Sequence, residues 1–407
     1  MRARRTLIAQ GVGLTLVLFS LVACGDDSDS SSSSDDSTIK IGAITPASGP
    51  YAVLGEEHRL GYDFAADYIN ENGGILGRDV EIIHADNKGT PEGSVAAAER
   101  LVQQDGARFL IGTIGSPEAL AVTQRLEALD ALMVGTNPQA DSLTGADCNS
   151  RFFRANISDS MSFNVLRAWV EENPIDTWDS IGADYSWGRD SAAQLEQLVT
   201  EQGGTVQTQL FPPLGTTDYA PYLSDLDGAA ALMVTLGGGD ALNFFKQASD
   251  FGMLDKYDTI FGNAGAFLSV TLNALQNPAL NGQWGSGHWS ASFDSPETRE
   301  FVDAFTQSEG KVPGDITGWA YLGMETLFAG IEAAESDEPG DVASALEDLT
   351  FDSIKGEVSM RGADHQLLQA MYIGQVEEVD GVGQRLVAKQ TIPADVVALE
   401  PSPDCQM

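Results

Sequence analysis

The sequence predicts an α/β protein with two domains of similar architecture, each built around a mainly parallel sheet. Short apolar runs alternate with longer amphipathic segments, and this alternation starts again in the second half of the chain. Both halves also contain a helix that ends at Gly-Gly and continues into a strand, in NGGILGRDVEII and in QGGTVQTQLF. Alternation of strand and helix along a chain favours doubly wound sheets with helices on both faces.

The first half repeats strand and helix in regular order. Apolar side chains at four-residue spacing between Leu60 and Tyr68 predict a long first helix. Thr90 and Ser116 each stand before a proline, a pairing of N-cap and first-turn residue that predicts the starts of the next two helices. The strands of this half read TIKIGAIT, VEIIHAD, ARFLIG and ALMVG.

The second half repeats the pattern and then ends in strands. A helix is predicted from Ser158 to Glu172, and the strands that follow read DSIGADY, TVQTQLF, AALMVTL and TIFGN. After QWGSGHWS come two further helices, SPETREFVDAFTQ and DITGWAYLGMETLFAGIEAA. The last predicted strands are GEVSM, LLQAMYIGQVEE and RLVAKQ.

The first 38 residues read as an export signal and a tether. Three arginines precede an apolar run at residues 7–22, which is typical of a secretory signal. The LVAC sequence that ends at Cys24 resembles a lipoprotein cleavage site, which implies a signal peptide over residues 1–23 and a lipid on Cys24. Residues 24–38 are rich in serine and aspartate and predict a flexible linker. An uncleaved anchor helix is the alternative, and both place the rest of the chain outside the cytoplasm.

Charge and cysteine content restrict the possible partners. The formal net charge is −38, which disfavours binding to nucleic acid or to anionic lipid headgroups. With Cys24 assigned to the lipid, Cys148 and Cys405 either form one disulfide or stay as free thiols. No cluster of cysteine and histidine has the spacing of a zinc site, and neither a metal nor a cofactor is expected.

Polar side chains follow several predicted strands, at the edge where parallel sheets bind ligands. Ser116 lies at a predicted N-cap, where free N–H groups favour a carboxylate or carbonyl oxygen. Asn137 and Gln139 follow the next strand with neutral amides that both donate and accept. Trp187, in the second half, can lie against an apolar part of a ligand. Capping, turn formation and ordinary packing are the alternative roles for these residues.

The sequence argues against an enzyme. TLGGGDAL lacks the third glycine of a dinucleotide-binding loop, since Leu242 occupies that position. No GxSxG elbow is present, and none of the four histidines lies in a nucleophile or metal motif: His58, His84, His288 and His365. A hydrolase that uses Asp364 and His365 is therefore only a third alternative.

The order of these stretches resembles the periplasmic leucine/isoleucine/valine-type binding proteins. The resemblance starts at PASGPYAVLGEEHRLGYDFAADYINENGGILGRDVEIIHAD and continues through AAERLVQQDGARFLIGTIGS, TTDYAPYLSDL, FKQASDFGM, SPETREFVDAF and DHQ…YIGQV. It implies two Rossmann-like lobes joined by three crossovers, the type I periplasmic binding protein fold. The crossovers are expected near Asn156, Gly287 and Val358. Lobe 1 would then hold residues 39–156 and 288–357, and lobe 2 residues 157–287 and 358–407.

The resemblance also implies a set of ligand-binding positions. Ser116 matches a serine that binds the ligand carboxylate, and Asn137 and Gln139 complete the head site. Three further positions match the side-chain pocket: Leu54, Trp187 and Gly237. Ala264, preceded by Asn263, replaces an acidic residue that usually binds the ligand ammonium. An amide, a urea-like compound or an acid without an amine is therefore expected alongside amino acids, unless Asp184 or Asp240 substitutes for the missing acid.

The predicted function is solute capture for an ABC importer. Closure of the two lobes would trap a small solute and present it to a membrane permease, with the lipid on Cys24 holding the protein at the membrane. The alternative is a lipid-anchored sensor that passes its closed state to a membrane receptor.

Overall fold

Two mostly parallel sheets form the framework of residues 38–226 and 228–407, which are the residues that the computed structural model describes. The predicted signal peptide, the lipidation site Cys24 and the linker up to residue 37 lie outside them. The strands are β1 (Thr38–Thr45), β2 (Asp79–Asp86), β3 (Phe109–Gly112), β4 (Leu132–Gly135), β5 (Phe152–Arg154), β6 (Thr177–Gly182), β7 (Thr205–Leu210), β8 (Ala231–Thr235), β9 (Thr259–Gly262), β10 (Trp284–Gly287), β11 (Thr350–Ser353), β12 (Gly356–Arg361), β13 (Gln366–Leu368), β14 (Met371–Val379) and β15 (Gly383–Ile392).

Helices connect these strands. They are α1 (Ala52–Glu71), α2 (Pro91–Gln103), α3 (Ser116–Thr123), α4 (Leu126–Leu129), α5 (Asp159–Glu172), α6 (Ser186–Glu201), α7 (Ala220–Asp225), α8 (Gly238–Asp250), α9 (Ser269–Leu275), α10 (Pro296–Glu309), α11 (Asp315–Ala334), α12 (Pro339–Leu346) and α13 (Ala394–Val397). Capping residues determine where several of these helices begin. The Thr90 hydroxyl, for example, accepts a hydrogen bond from Gly93 N at 3.1 Å and so caps α2 as predicted.

Each sheet defines one lobe. Lobe 1 has eight strands in the order β11-β12-β13-β5-β4-β3-β1-β2, and lobe 2 has seven in the order β15-β14-β10-β9-β8-β6-β7. Strands β1 to β5 pair in parallel, as do β6 to β10, whereas the last strands of the chain add antiparallel edges. The strands are apolar on both faces because helices cover both: in β3, Phe109 and Ile111 pack into one core cluster and Leu110 into another.

The chain changes sheet three times. It leaves lobe 1 after Arg154, returns after Gly287, and leaves again between Leu368 and Met371. The predicted third crossover near Val358 is wrong, because β12 and β13 both pair within the sheet of lobe 1. The sequence LLQAMYIGQVEE reads as one strand, but the chain crosses between the lobes inside it. Lobe 1 therefore extends about ten residues beyond the predicted boundary.

The C-terminal segment connects the lobes a fourth time. Helix α13 packs against α5 in lobe 2. The chain then returns to lobe 1, where the Arg361 guanidinium donates to Leu399 O and Cys405 forms a disulfide with Cys148. The Cα atoms of the two cysteines are 5.5 Å apart. Of the two states that the sequence left open, the structure has the disulfide. None of the helices in the described ranges has the length and apolar character needed to cross a membrane.

Candidate functional site

A cavity lies between the lobes at the carboxyl ends of the parallel strands. Its lining includes seven of the eight residues predicted to bind ligand: Leu54, Ser116, Asn137, Gln139, Trp187, Gly237 and Ala264. Most of them follow a strand directly, in the loops after β3, β4, β6, β8 and β9, and this common edge is why the topology brings them together. About 360 Å³ of space lies between the lining atoms, counting the open mouth.

Asn263, the eighth predicted residue, does not line the cavity. It is buried behind the wall of lobe 2, where its Oδ1 accepts from Ser162 Oγ at 2.5 Å and its Nδ2 donates to Asp159 Oδ1 at 3.1 Å. Its Oδ1 also accepts from Ala264 N at 2.9 Å. These bonds hold the loop that presents Ala264 to the cavity, so Asn263 positions the wall without contacting a solute.

Ser116 joins two loops of lobe 1. Helix α3 begins at Ser116, and Gly115 is the N-cap residue, so the predicted capping role of the serine is wrong. Its Oγ instead accepts from Gln139 N at 3.3 Å and from Ala140 N at 3.1 Å. Because the oxygen already accepts two bonds, the hydroxyl hydrogen remains available to donate into the cavity.

The two predicted amides line the cavity, and one hydrogen bond fixes the orientation of each. Asn137 Nδ2 donates to Ile114 O at 3.0 Å, and Gln139 Nε2 donates to Ala264 O at 3.2 Å across the lobes. A backbone carbonyl can only accept, so these contacts fix which end of each amide is the nitrogen. Asn137 Oδ1 and Gln139 Oε1 are buried and have no partner among the described residues.

Aromatic side chains form much of the wall, and sequence reasoning identified only one of them. Besides Trp187, the lining includes Tyr51, Tyr185 and Trp319. The hydroxyls of Tyr51 in lobe 1 and Tyr185 in lobe 2 are 2.7 Å apart, so one donates to the other across the cleft. Trp187 Nε1 is buried without a partner among the described residues. The aromatic residues of DYSW follow a predicted strand, so their position indicated a place in the cavity. The sequence around Tyr51 or Trp319 gives no such indication.

Among the described residues, no acidic or basic side chain lines this cavity. The two acids predicted as possible substitutes lie elsewhere. Asp184 pairs with Arg189 at 2.5 Å, and Asp240 accepts from Gly215 N, with both oxygens at 3.1 Å. Burial raises the pKa of Asp240 to about 6, and burial also raises the pKa of Glu118, which lies behind the wall. The cavity is therefore a neutral space with acids close behind it.

The triple-glycine loop closes directly on lobe 1. Gly239 N donates to Pro50 O at 3.1 Å, and a Cβ on Gly238 would come within 3.1 Å of the same oxygen. Gly238 also has a φ of +55°, which glycine adopts without strain. These glycines therefore allow close backbone contact between the lobes.

Comparison with known proteins agrees with this architecture. Residues 38–381 match the family described as periplasmic binding protein. Leu/Ile/Val-binding protein homolog 6 of Brucella melitensis is 28% identical over 376 residues, which cover 90% of this chain and 92% of that protein.

Two solved structures illustrate the fold. A solute binding protein of an ABC transporter from Rhodopseudomonas palustris HaA2, in complex with p-hydroxybenzoic acid, has a TM-score of 0.81 at 24% identity and covers 90% of this chain and 98% of its own. A leucine binding protein from Thermotoga maritima has a TM-score of 0.76 at 20% identity, with 88% of this chain and 99% of its own covered. The predicted α/β fold of two lobes is confirmed. Because the family match spans both sheets and the cavity between them, this chain belongs to the periplasmic binding protein family.

Proposed function

We propose that this protein captures a small solute between its lobes and delivers it to the permease of an ABC importer. The observation that supports this most directly is the neutral cavity whose wall comes from both lobes and into which Ser116 can donate its hydroxyl hydrogen. Two bonds across the cleft, Tyr51 to Tyr185 and Gln139 to Ala264, form only when the lobes are closed. Trapping of a solute would therefore coincide with the closed shape that a permease recognises.

The capture step follows from where the polar groups lie. The solute first docks on lobe 1, where Ser116, Asn137 and Gln139 form the head site. Rotation about the three crossovers then brings Trp187 and Ala264 of lobe 2 over it. Closure expels water, so each hydrogen bond to the solute becomes stronger in the apolar surroundings. The solute is held by hydrogen bonds and aromatic contacts and is released unchanged.

The aromatic wall indicates the kind of solute. Four aromatic residues line the cavity, and planar or branched apolar groups pack well against such rings. Solved relatives of similar fold carry p-hydroxybenzoic acid or are described as leucine binding. The proposed solute therefore combines one polar head with a compact aromatic or branched apolar body.

A melting-temperature screen combined with solution scattering tests this proposal. A solute at a hundred times its Kd should stabilise the protein by about 2.7 kcal/mol, and the radius of gyration should fall when it binds. Ser116→Ala should weaken the best solute at least tenfold, because the head loses a buried donor. Ser308→Ala, at an exposed helix position, is the matched control and should bind normally. A bound solute that leaves the scattering profile unchanged would contradict capture by closure.

The proposed membrane attachment makes a separate prediction. We propose that cleavage before Cys24 and acylation of that cysteine anchor the protein on the outer face of the membrane, with residues 24–38 as the tether. Stable anchoring needs more than one acyl chain. Cys24→Ser should therefore move the mature protein from the membrane fraction to the soluble fraction while its affinity for solute stays the same. Equal membrane retention of both proteins would argue against a lipid on Cys24.

A further inference from the structure

The side chains that line the cavity carry two donors and two acceptors that have no partner among the described residues. The donors are the Ser116 hydroxyl hydrogen, since the oxygen accepts two backbone bonds, and Trp187 Nε1. The acceptors are Asn137 Oδ1 and Gln139 Oε1. Ser116 is 2% exposed, Gln139 4% and Trp187 6%, so in the closed state water cannot easily supply the missing partners.

These four atoms restrict the head group by hydrogen-bond accounting. A buried polar atom that stays unpaired costs about 1–3 kcal/mol. A carboxylate only accepts, so it would satisfy the donors but leave both amide oxygens unpaired and facing its own negative oxygens. An ammonium group only donates, so it would satisfy the two amide oxygens but leave the two donors without an acceptor. A group that fits must both accept and donate.

The charges around the cavity favour an uncharged head. In the part of the chain that the structure describes, no lysine, arginine, aspartate or glutamate lines the space, so a buried ion would find no counter-charge there.

We propose that the head group of the solute is a neutral primary amide, –C(=O)–NH2, as in carboxamides and ureas. A carbonyl oxygen has two lone pairs for the two donors, and an NH2 group has two hydrogens for the two acceptors. The carbonyl oxygen accepts from Ser116 and Trp187, and the amide nitrogen donates to Asn137 and Gln139. This inference rests on the proposed function, since it names the class of solute that the cleft captures.

Calorimetry with two matched series tests the head group on a constant body. The first series is phenylacetamide, phenylacetate and phenylalanine, and the second is isovaleramide, isovalerate and leucine. The amide should bind at least tenfold more tightly than the acid and the amino acid of the same body. Tighter binding of the acid or of the amino acid, or no binding by either amide, overturns the inference. Closure on any solute in the scattering experiment would still support the proposed function, so the two failures are distinguishable.

A single substitution should reduce the preference for the amide over the amino acid. Asn137→Asp keeps an acceptor at the free position but adds a negative charge, and it removes the bond to Ile114 O. The ratio of amide to amino-acid affinity should fall at least tenfold, because the aspartate supplies a partner for an ammonium group. Asn164→Asp is the matched control: Asn164 Nδ2 also donates to a backbone carbonyl, Val397 O, at 3.0 Å, but outside the cavity. An unchanged ratio in Asn137→Asp would overturn the assignment of Asn137.

Discussion

Replacing Arg154 with methionine is expected to lower the free energy of unfolding by about 3–5 kcal/mol. The guanidinium is fully buried at the point where the chain first leaves lobe 1. Its Nε donates to Gln366 Oε1 at 2.6 Å, its Nη1 to Ala140 O at 2.6 Å, and its Nη2 to Thr144 Oγ1. Methionine fills a similar volume but leaves these acceptors buried and unpaired.

The contacts of Arg154 also explain why lysine cannot replace it. Burial lowers the pKa of the guanidinium to about 10, so the side chain stays charged at neutral pH and balances the nearby Asp141 and Asp364. Gln366 in turn donates to Asn156 O at 2.7 Å, so the arginine supports both the first and the third crossover. A lysine keeps the charge but cannot direct N–H groups along three fixed directions. Arg154→Lys should therefore lose most of the same stability.

Urea unfolding measures this effect. The midpoint should fall in Arg154→Met while the slope of the transition stays constant. Arg167→Met is the matched control, since Arg167 pairs with Glu201 at 2.7 Å on the exposed surface and such pairs contribute about 0–1 kcal/mol. Equal midpoints for the two variants would show that the Arg154 network does not hold the crossovers.

The predicted site residues that line the cavity share one property. Ser116, Asn137 and Gln139 each follow a buried strand at the edge where parallel sheets bind ligands, so strand prediction alone brings them together. Trp187 was found in the same way after β6. Tyr51 and Trp319 were missed because they belong to the start of α1 and the interior of α11, where an aromatic residue reads as ordinary packing.

The wrong predictions concern positions where the local sequence pattern does not show which distant strand or loop the residue contacts. The stretch LLQAMYIGQVEE reads as one strand, yet Leu367 and Leu368 belong to a strand of lobe 1 and the residues from Met371 onward to a strand of lobe 2. Ser116 has the composition of an N-cap, but the backbone N–H groups that it binds come from the loop after β4. In both cases a contact distant in sequence decided the outcome.

A pair of helix starts forms a second link across the cleft, away from the solute. Asp315, the first residue of α11 in lobe 1, accepts from Ser269 N at 2.6 Å, and Ser269 is the first residue of α9 in lobe 2. Asp315 N donates in return to Ser269 Oγ at 3.4 Å. Beside them Arg385 of lobe 2 donates to Pro313 O of lobe 1 at 3.3 Å. These bonds exist only while the lobes are closed, so they stabilise the closed state without contacting the solute.

Asp315→Ala should therefore weaken solute affinity by roughly 30-fold, corresponding to about 2 kcal/mol for a hydrogen bond to a buried charged group. The apparent Kd of a captured solute rises as the closed form becomes less populated, even when every solute contact is intact. Asp315→Asn keeps an acceptor for Ser269 N and should therefore weaken solute affinity much less. Asp294→Ala removes an exposed partner of Arg299 and should bind solute normally.

Calorimetry gives the affinities, and scattering at saturating solute should show a larger open fraction in Asp315→Ala alone. An alanine variant that binds as tightly as the unaltered protein would mean that this link does not contribute to closure.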